Sequence, residues 1–252
     1  MTVSASTFAR AQRAVLFASA AAVTLTAWLW LMRMPGAAHH IHSALLPHRH
    51  GQLDFWSFVS AVAMWQAMTI AMMTPAVLPW LLTFAELTGR HGAQRTFVPV
   101  MWFAAGYMVV WLGYSVAGAA LQTALQHTGF LERNGQLPAP VAGLVLIAAG
   151  LLYFTPLNRA CLKHCRNPLS FILARWNNGP RGGFGMGLAH GAYCVGCCWA
   201  LMATGLAMGI MNLVWMAFLT VLICVEKLAP HGDRIGAFVA VVMTIWGVRL
   251  LL

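Results

Sequence analysis

Long apolar runs alternate with short polar punctuation along this chain. The runs fall at Ala14–Met32, Trp56–Phe84, Phe97–Ala124, Val141–Pro156, Phe184–Met208, Leu213–Leu228 and Ile235–Leu252. A helix rises ~1.5 Å per residue, so about 20 apolar residues cross ~30 Å of hydrocarbon, and most of these runs approach or exceed that length. Between them stand Pro35-Gly36, Gly89-Arg90-His91-Gly92, Leu137-Pro138-Ala139-Pro140 and Asn177-Asn178-Gly179-Pro180, all breaker or turn sequences. The pattern predicts an all-α, polytopic transmembrane helix bundle of about seven helices, because a helix satisfies its backbone hydrogen bonds internally where water is absent. It divides into residues 1–55, a helix with a His-rich loop, and residues 56–252, a continuous membrane domain.

The first run admits a second reading. Arg10 and Arg13 precede it and Gly36-Ala37-Ala38 follows, the outline of a signal peptide, which would leave six helices. Its apolar stretch exceeds the usual length of a signal core and favours an uncleaved helix.

Composition agrees with a membrane protein: 60% of the 252 residues are apolar and 8% charged, against about a quarter charged in soluble domains. The formal charge of +10 comes without a basic stripe interleaved with aromatics, which argues against nucleic acid as a partner. It reads instead as orientation. With the amino terminus inside, Arg10, Arg13, Arg90, Arg95, Arg159, Lys163, Arg166, Arg175, Arg181, Lys227 and Arg234 are internal, leaving Arg33, Arg49, Arg133 and Arg249 outside. This bias predicts N-in, C-out and a multi-pass location in a bacterial inner membrane.

The candidate chemistry lies in sulfur and imidazole. All six cysteines, Cys161, Cys165, Cys194, Cys197, Cys198 and Cys224, fall on the inner side or within spans, which argues against a disulfide framework. Cys194, Cys197 and Cys198 share a helix face at i, i+3 and i+4, with His190 one turn earlier. The second span carries a parallel row, Met64, Met68 and Met72, with Met73 beside it. Thioethers and thiolates favour soft ions, above all Cu(I), whereas zinc, the alternative, prefers a closed tetrahedron of Cys and His. Charge reinforces copper: one thiolate with Met or His around Cu(I) is neutral, and a central charge costs ~2.5–3.5 kcal/mol on insertion scales. Against this stand plainer roles. A Met row also fills gaps between helices, and a buried Cys such as Cys224 also serves as a small hydrophobe. Gly183, Gly187 and Gly191, with Gly205 and Gly209, read as close helix contacts. Glu226 and Lys227 read as an ion pair anchoring a helix end near the interface. In the outer loop His39, His40, His42, His48 and His50 form a candidate capture site for Cu(II) or zinc.

Several motifs in order strengthen the metal reading: Met64-Trp-Gln-Ala-Met68 through Met72-Met73-Thr-Pro75; Tyr153-Phe-Thr-Pro156-Leu157 through Cys161-x3-Cys165-Arg166; His190-Gly-Ala-Tyr193-Cys194-Val-Gly-Cys197-Cys198-Trp199; Met211-Asn212; and Glu226-Lys227. Over roughly Trp56 to Leu252 the chain resembles a bacterial family of predicted metal-binding integral membrane proteins, some of whose members carry a copper-chaperone label. The resemblance implies a membrane fold and a metal, and it does not include the His-rich loop.

The expected function is binding, delivery or translocation of Cu(I) without covalent catalysis, in contact with the lipid bilayer and with a copper protein or chaperone as partner. No phosphate-binding loop followed by Lys and Ser or Thr is present, so no nucleotide is expected. Two other readings stay open: a membrane thiol-disulfide oxidoreductase using Cys194-x2-Cys197 and Cys161-x3-Cys165, and an accessory subunit that assembles a copper enzyme.

Overall fold

The computed structural model describes residues 2–33, 55–90, 97–131, 136–209 and 212–252. The histidines His39, His40, His42, His48 and His50 lie outside the described residues. Those residues form helices α1 (Thr2–Arg33), α2 (Phe55–Arg90), α3 (Phe97–His127), α4 (Ala139–Tyr153), α5 (Pro156–Arg166), α6 (Pro168–Ala174), α7 (Gly179–Met208), α8 (Leu213–Leu228) and α9 (Gly232–Leu251), with no strand among them.

Five helices are long and apolar enough to cross a membrane, lying in α1, α2, α3, α7 and α9. The run expected at Val141–Pro156 ends earlier, at Tyr153, where the chain bends by 66° into α5; taken as one broken span, α4 and α5 make a sixth. Thr155 causes the break in concert with Pro156. Its hydroxyl accepts the Asn158 amide and caps a new helix, while Pro156 at the first position has no amide to lose. The run Leu213–Leu228 is realised as α8, whose 16 residues reach about 24 Å, short of a full hydrocarbon thickness.

The tightest pairing sets α7 against α3 through small residues. A Cβ placed on Gly183 or Gly187 would press on the backbone of Pro99 or Phe103, and one on Gly191 would press on the Val110 side chain and crowd the Tyr107 carbonyl, at steps of four residues along α7. In reciprocal fashion Gly106 faces the Phe184 carbonyl. Without a hydrophobic drive between helices in lipid, such backbone approach is what holds the pair. The expected packing role thus holds for these three glycines but not for the other two. A Cβ on Gly205 would meet nothing within 4 Å, and Gly209 instead ends α7 with a φ of 98°, a left-handed-side conformation that glycine tolerates. A second small-residue pair, Gly143 with Gly247, joins α4 to α9.

Around this frame α2 packs on α1, α3 and α8, and α5 folds back onto α7. α2 runs unbroken past Pro75 and Pro79, with the hydroxyls of Thr74 and Thr83 bonding the Ile70 and Pro79 carbonyls. Arg166 at the end of α5 donates to the carbonyls of Ala229 and Pro230 at 2.8 Å each and pairs with Asp233 at 3.0 Å, tying α5 to the α8–α9 turn.

If the α3–α7 glycine register holds the bundle, Gly187→Leu will separate the helices and cost about 1–3 kcal/mol or more, as overpacking does. Gly205→Leu will cost far less. Thermal unfolding of both variants in detergent, followed by helical circular dichroism, checks the contrast.

Candidate metal centre

Four of the six cysteines converge where α5 and α7 meet. Cys194, Cys197 and Cys198 occupy the inward face of α7, as their spacing requires, and all are buried. The fold of α5 then adds a fourth. Cys165 lies with its sulfur 3.7 Å from that of Cys197, and Cys197 lies 3.4 Å from Cys198. Cys165, on the segment that follows the fourth apolar run, therefore belongs to the same cluster as the cysteines of α7. The bend into α5 brings it there, a feature that apolar patterning alone does not reveal. The Cys161 sulfur itself packs against Gly196, a position where a Cβ would collide with it.

Cys194 is the sulfur to which the surrounding polar groups point. The Tyr107 hydroxyl lies 3.1 Å from it, and the Lys227 ammonium donates to it at 2.9 Å. Tyr107 arrives through the α3–α7 glycine register, which aligns it with Gly191, one turn before Cys194. Lys227 arrives because α8 is short. Its carboxyl end reaches the middle of α7 instead of the interface, so the expected snorkelling does not occur, and Lys227 is only 7% exposed. Glu226 and Lys227 also form no ion pair with each other. Glu226, 2% exposed, turns to the Tyr153 hydroxyl, which donates to the Asp233 carbonyl at 3.1 Å. A buried ammonium needs a partner of opposite charge or strong acceptor character, and Lys227 finds it in a sulfur.

One turn before Cys194, the His190 ring is sandwiched among aromatics. It stacks on Trp80 with centroids 3.7 Å apart and on Tyr107 at 5.4 Å. His190 is 3% exposed, and its Nδ1 has no hydrogen-bond partner. A buried unsatisfied nitrogen costs about 1–3 kcal/mol, so an imidazole held in this way carries a lone pair or proton available to a ligand. Trp80 serves both sides, its indole N–H donating to the Cys165 carbonyl at 3.0 Å.

The remaining candidates are placed less centrally. Met68, Met72 and Met73 are buried in the same apolar core as the cysteines, and Met64 packs at its margin. The backbone neighbours of α2 include α1, α3, α8 and α6, and contact from α2 to the α7 stripe comes from Trp80 on His190. Cys224 is half-buried on α8. Among the described residues no three His, Cys, Asp or Glu side chains stand in the arrangement of a ready-made metal site. The thiols touch in pairs, and Lys227 and Tyr107 occupy positions on Cys194 that a metal would otherwise approach. A cavity of about 50 Å³ at the α4–α5 bend, lined by Tyr153, Thr155, Asn158, Gly196 and Cys197 among others, leads to the cluster. That volume exceeds the ~10–15 Å³ needed for one water-sized occupant.

Tyr107, Trp80 and Lys227 are the residues that motif spacing missed. Lys227 carried a signal, since an ionisable residue in an apolar span is a functional marker by default. Tyr107 and Trp80 carried none, being aromatics among many.

No curated protein and no solved structure is detectably similar to this chain. A family model described as copper chaperone, PpoB2, matches residues 62–250, three quarters of the chain and all of the cysteine cluster, so the protein belongs to the PpoB2 copper chaperone family.

Proposed function

We propose that this chain is a membrane protein that binds Cu(I) on Cys194 and its neighbouring thiols and hands it to a partner. The single observation that carries the reading is the pairing of Cys194 with the Lys227 ammonium inside a group of four contacting cysteines. Cu(I) bound by two thiolates carries −1, and Lys227 brings that to zero within a segment where each uncompensated charge costs ~2.5–3.5 kcal/mol. Zn(II) with four thiolates would carry −2 and leave −1 after Lys227, so the same lysine favours copper over zinc. Cys194 with Cys197 is the leading ligand pair, with Cys165, Cys198 and the unpartnered His190 as exchange donors. Met68 and Met72 supply softer contacts further along the route, and Cys161 lies beside the cavity that reaches Cys197. The excess of arginine and lysine in alternate connections supports an N-in orientation in a bacterial inner membrane. The histidines of the 34–54 segment would gather metal on the opposite side.

Protein purified anaerobically in detergent should bind about one Cu(I) per chain in competition with a chromogenic chelator. The triple change Cys194→Ser, Cys197→Ser and Cys198→Ser should abolish binding. Lys227→Met should weaken it about a hundredfold, the factor equivalent to one uncompensated central charge. Copper retained by the triple variant would sink the site, and zinc bound in its place at similar stoichiometry would redirect it.

A second reading rests on the 3.7 Å approach of Cys165 to Cys197, which suits a dithiol that passes electrons by forming a disulfide. Alkylation mass shifts separate the two. A copper carrier will show thiols protected by Cu(I) and free after its removal. An oxidoreductase will show a reversible two-thiol loss on treatment with a quinone, abolished by Cys165→Ser.

A further inference from the structure

A groove of about 310 Å³ opens between the end of α6 and the first turns of α7. Its mouth is polar, formed by Arg175, Asn177 and Arg181, and its floor is formed by Gly185, Met186 and Ala189. Arg181, Gly185 and Ala189 follow one another at four-residue intervals and so run down one face of α7. That stripe extends about 12 Å from the charged end into the span. The floor is open, since a Cβ added to Gly185 would meet nothing within 4 Å.

The mouth is built to receive an anion. The Arg175 guanidinium is held in place over the Phe171 ring at 5.3 Å and the Tyr193 ring at 5.8 Å, and it donates to the Tyr193 hydroxyl at 3.3 Å. Arg181 is exposed and makes no hydrogen bond or ion pair among the described residues. The α7 amino terminus adds its own partial positive charge: no acidic residue lies in its first turn and Asn178 does not cap it. Two guanidiniums and a bare helix start thus face the same opening, and no acidic side chain among the described residues lines it. This end of α7 is also the end of a candidate span, where lipid phosphates lie.

We infer that this groove is a binding site for one anionic phospholipid, its phosphate between Arg175 and Arg181 and the start of an acyl chain over Gly185 and Ala189. Charge selects the headgroup, because a zwitterionic lipid brings a cation of its own into a pocket that already holds two. Shape selects a lipid over free phosphate, which would use the mouth and leave the apolar floor empty. The site is independent of the copper reading and of which leaflet the end of α7 faces.

The test is native mass spectrometry of the full chain, delipidated and then offered phosphatidylglycerol or phosphatidylcholine. The wild-type protein should retain one phosphatidylglycerol per chain, about thirtyfold more strongly than phosphatidylcholine, as expected for two interfacial arginines. The double change Arg175→Gln and Arg181→Gln should abolish that preference. Gly185→Leu, which keeps both arginines, should also reduce retention, whereas Arg159→Gln with Lys163→Gln on α5 should leave it unchanged. Equal retention of the two lipids by the wild type would overturn the proposal whatever the variants do. So would displacement of phosphatidylglycerol by millimolar inorganic phosphate, which would make the mouth a phosphate site.

Discussion

An ammonium group withdrawn from water has few places to rest, and the position of Lys227 organises much of what surrounds it. Its nitrogen donates to Cys194 at 2.9 Å, and the same sulfur is met from α3 by the Tyr107 hydroxyl at 3.1 Å. Three helices are thereby obliged to arrive at one point. α8 must stop short so that its last turn lies deep, α3 must approach α7 closely enough for a phenol to cross between them, and α7 must present Cys194 inward. A cation and a soft donor in contact, far from solvent, form a polar unit that gives the ammonium an acceptor inside the bundle.

The α3–α7 glycine register makes that convergence possible. Gly183, Gly187 and Gly191 let the two backbones touch at successive turns, and each step of four residues carries the match along without drift. Any larger residue at these positions would push Tyr107 away from Cys194 before it altered the thiols themselves. The bend at Thr155 and Pro156 makes the complementary contribution by turning α5 back toward α7, and Arg166 fastens its far end to the α8–α9 turn. Packing and chemistry are in this sense the same problem here, since the residues that fix helix spacing also fix the distances between donors.

Much of this was legible in the chain. Apolar runs located the long helices, and the i, i+3, i+4 spacing of Cys194, Cys197 and Cys198 placed them on one face, because both are properties of a single helix. What depended on two elements was not. Cys165 joins Cys197 because the run expected at Val141–Pro156 ends at Tyr153 and bends by 66° into α5, and a proline at a span end is equally compatible with a simple exit. Lys227 was assigned to the interface because it stands at the end of the run Leu213–Leu228, whereas the end of α8 packs inward and buries it against Cys194. The methionine row was read as a parallel to the cysteine stripe on a separate span. It lies in the shared core, and Trp80 is the residue of α2 that reaches across to His190.

On the copper reading proposed above, the same geometry bears on release of the ion. On that reading, the four clustered thiols would offer more donors than Cu(I) needs, and one sulfur would be exchanged for the next without the ion being left bare. His190, with an unpartnered Nδ1, and Cys161, seated on Gly196 beside the cavity at the α4–α5 bend, extend that choice in two directions. Affinity in such an arrangement is spread over alternative pairs of ligands and is not invested in one closed shell. A closed tetrahedron gains stability by using every donor at once, and it loses its exit by the same means. The thiols here touch in pairs, with Lys227 and Tyr107 already engaging one of them, and on the proposed copper reading that arrangement would favour passage of an ion over its permanent storage.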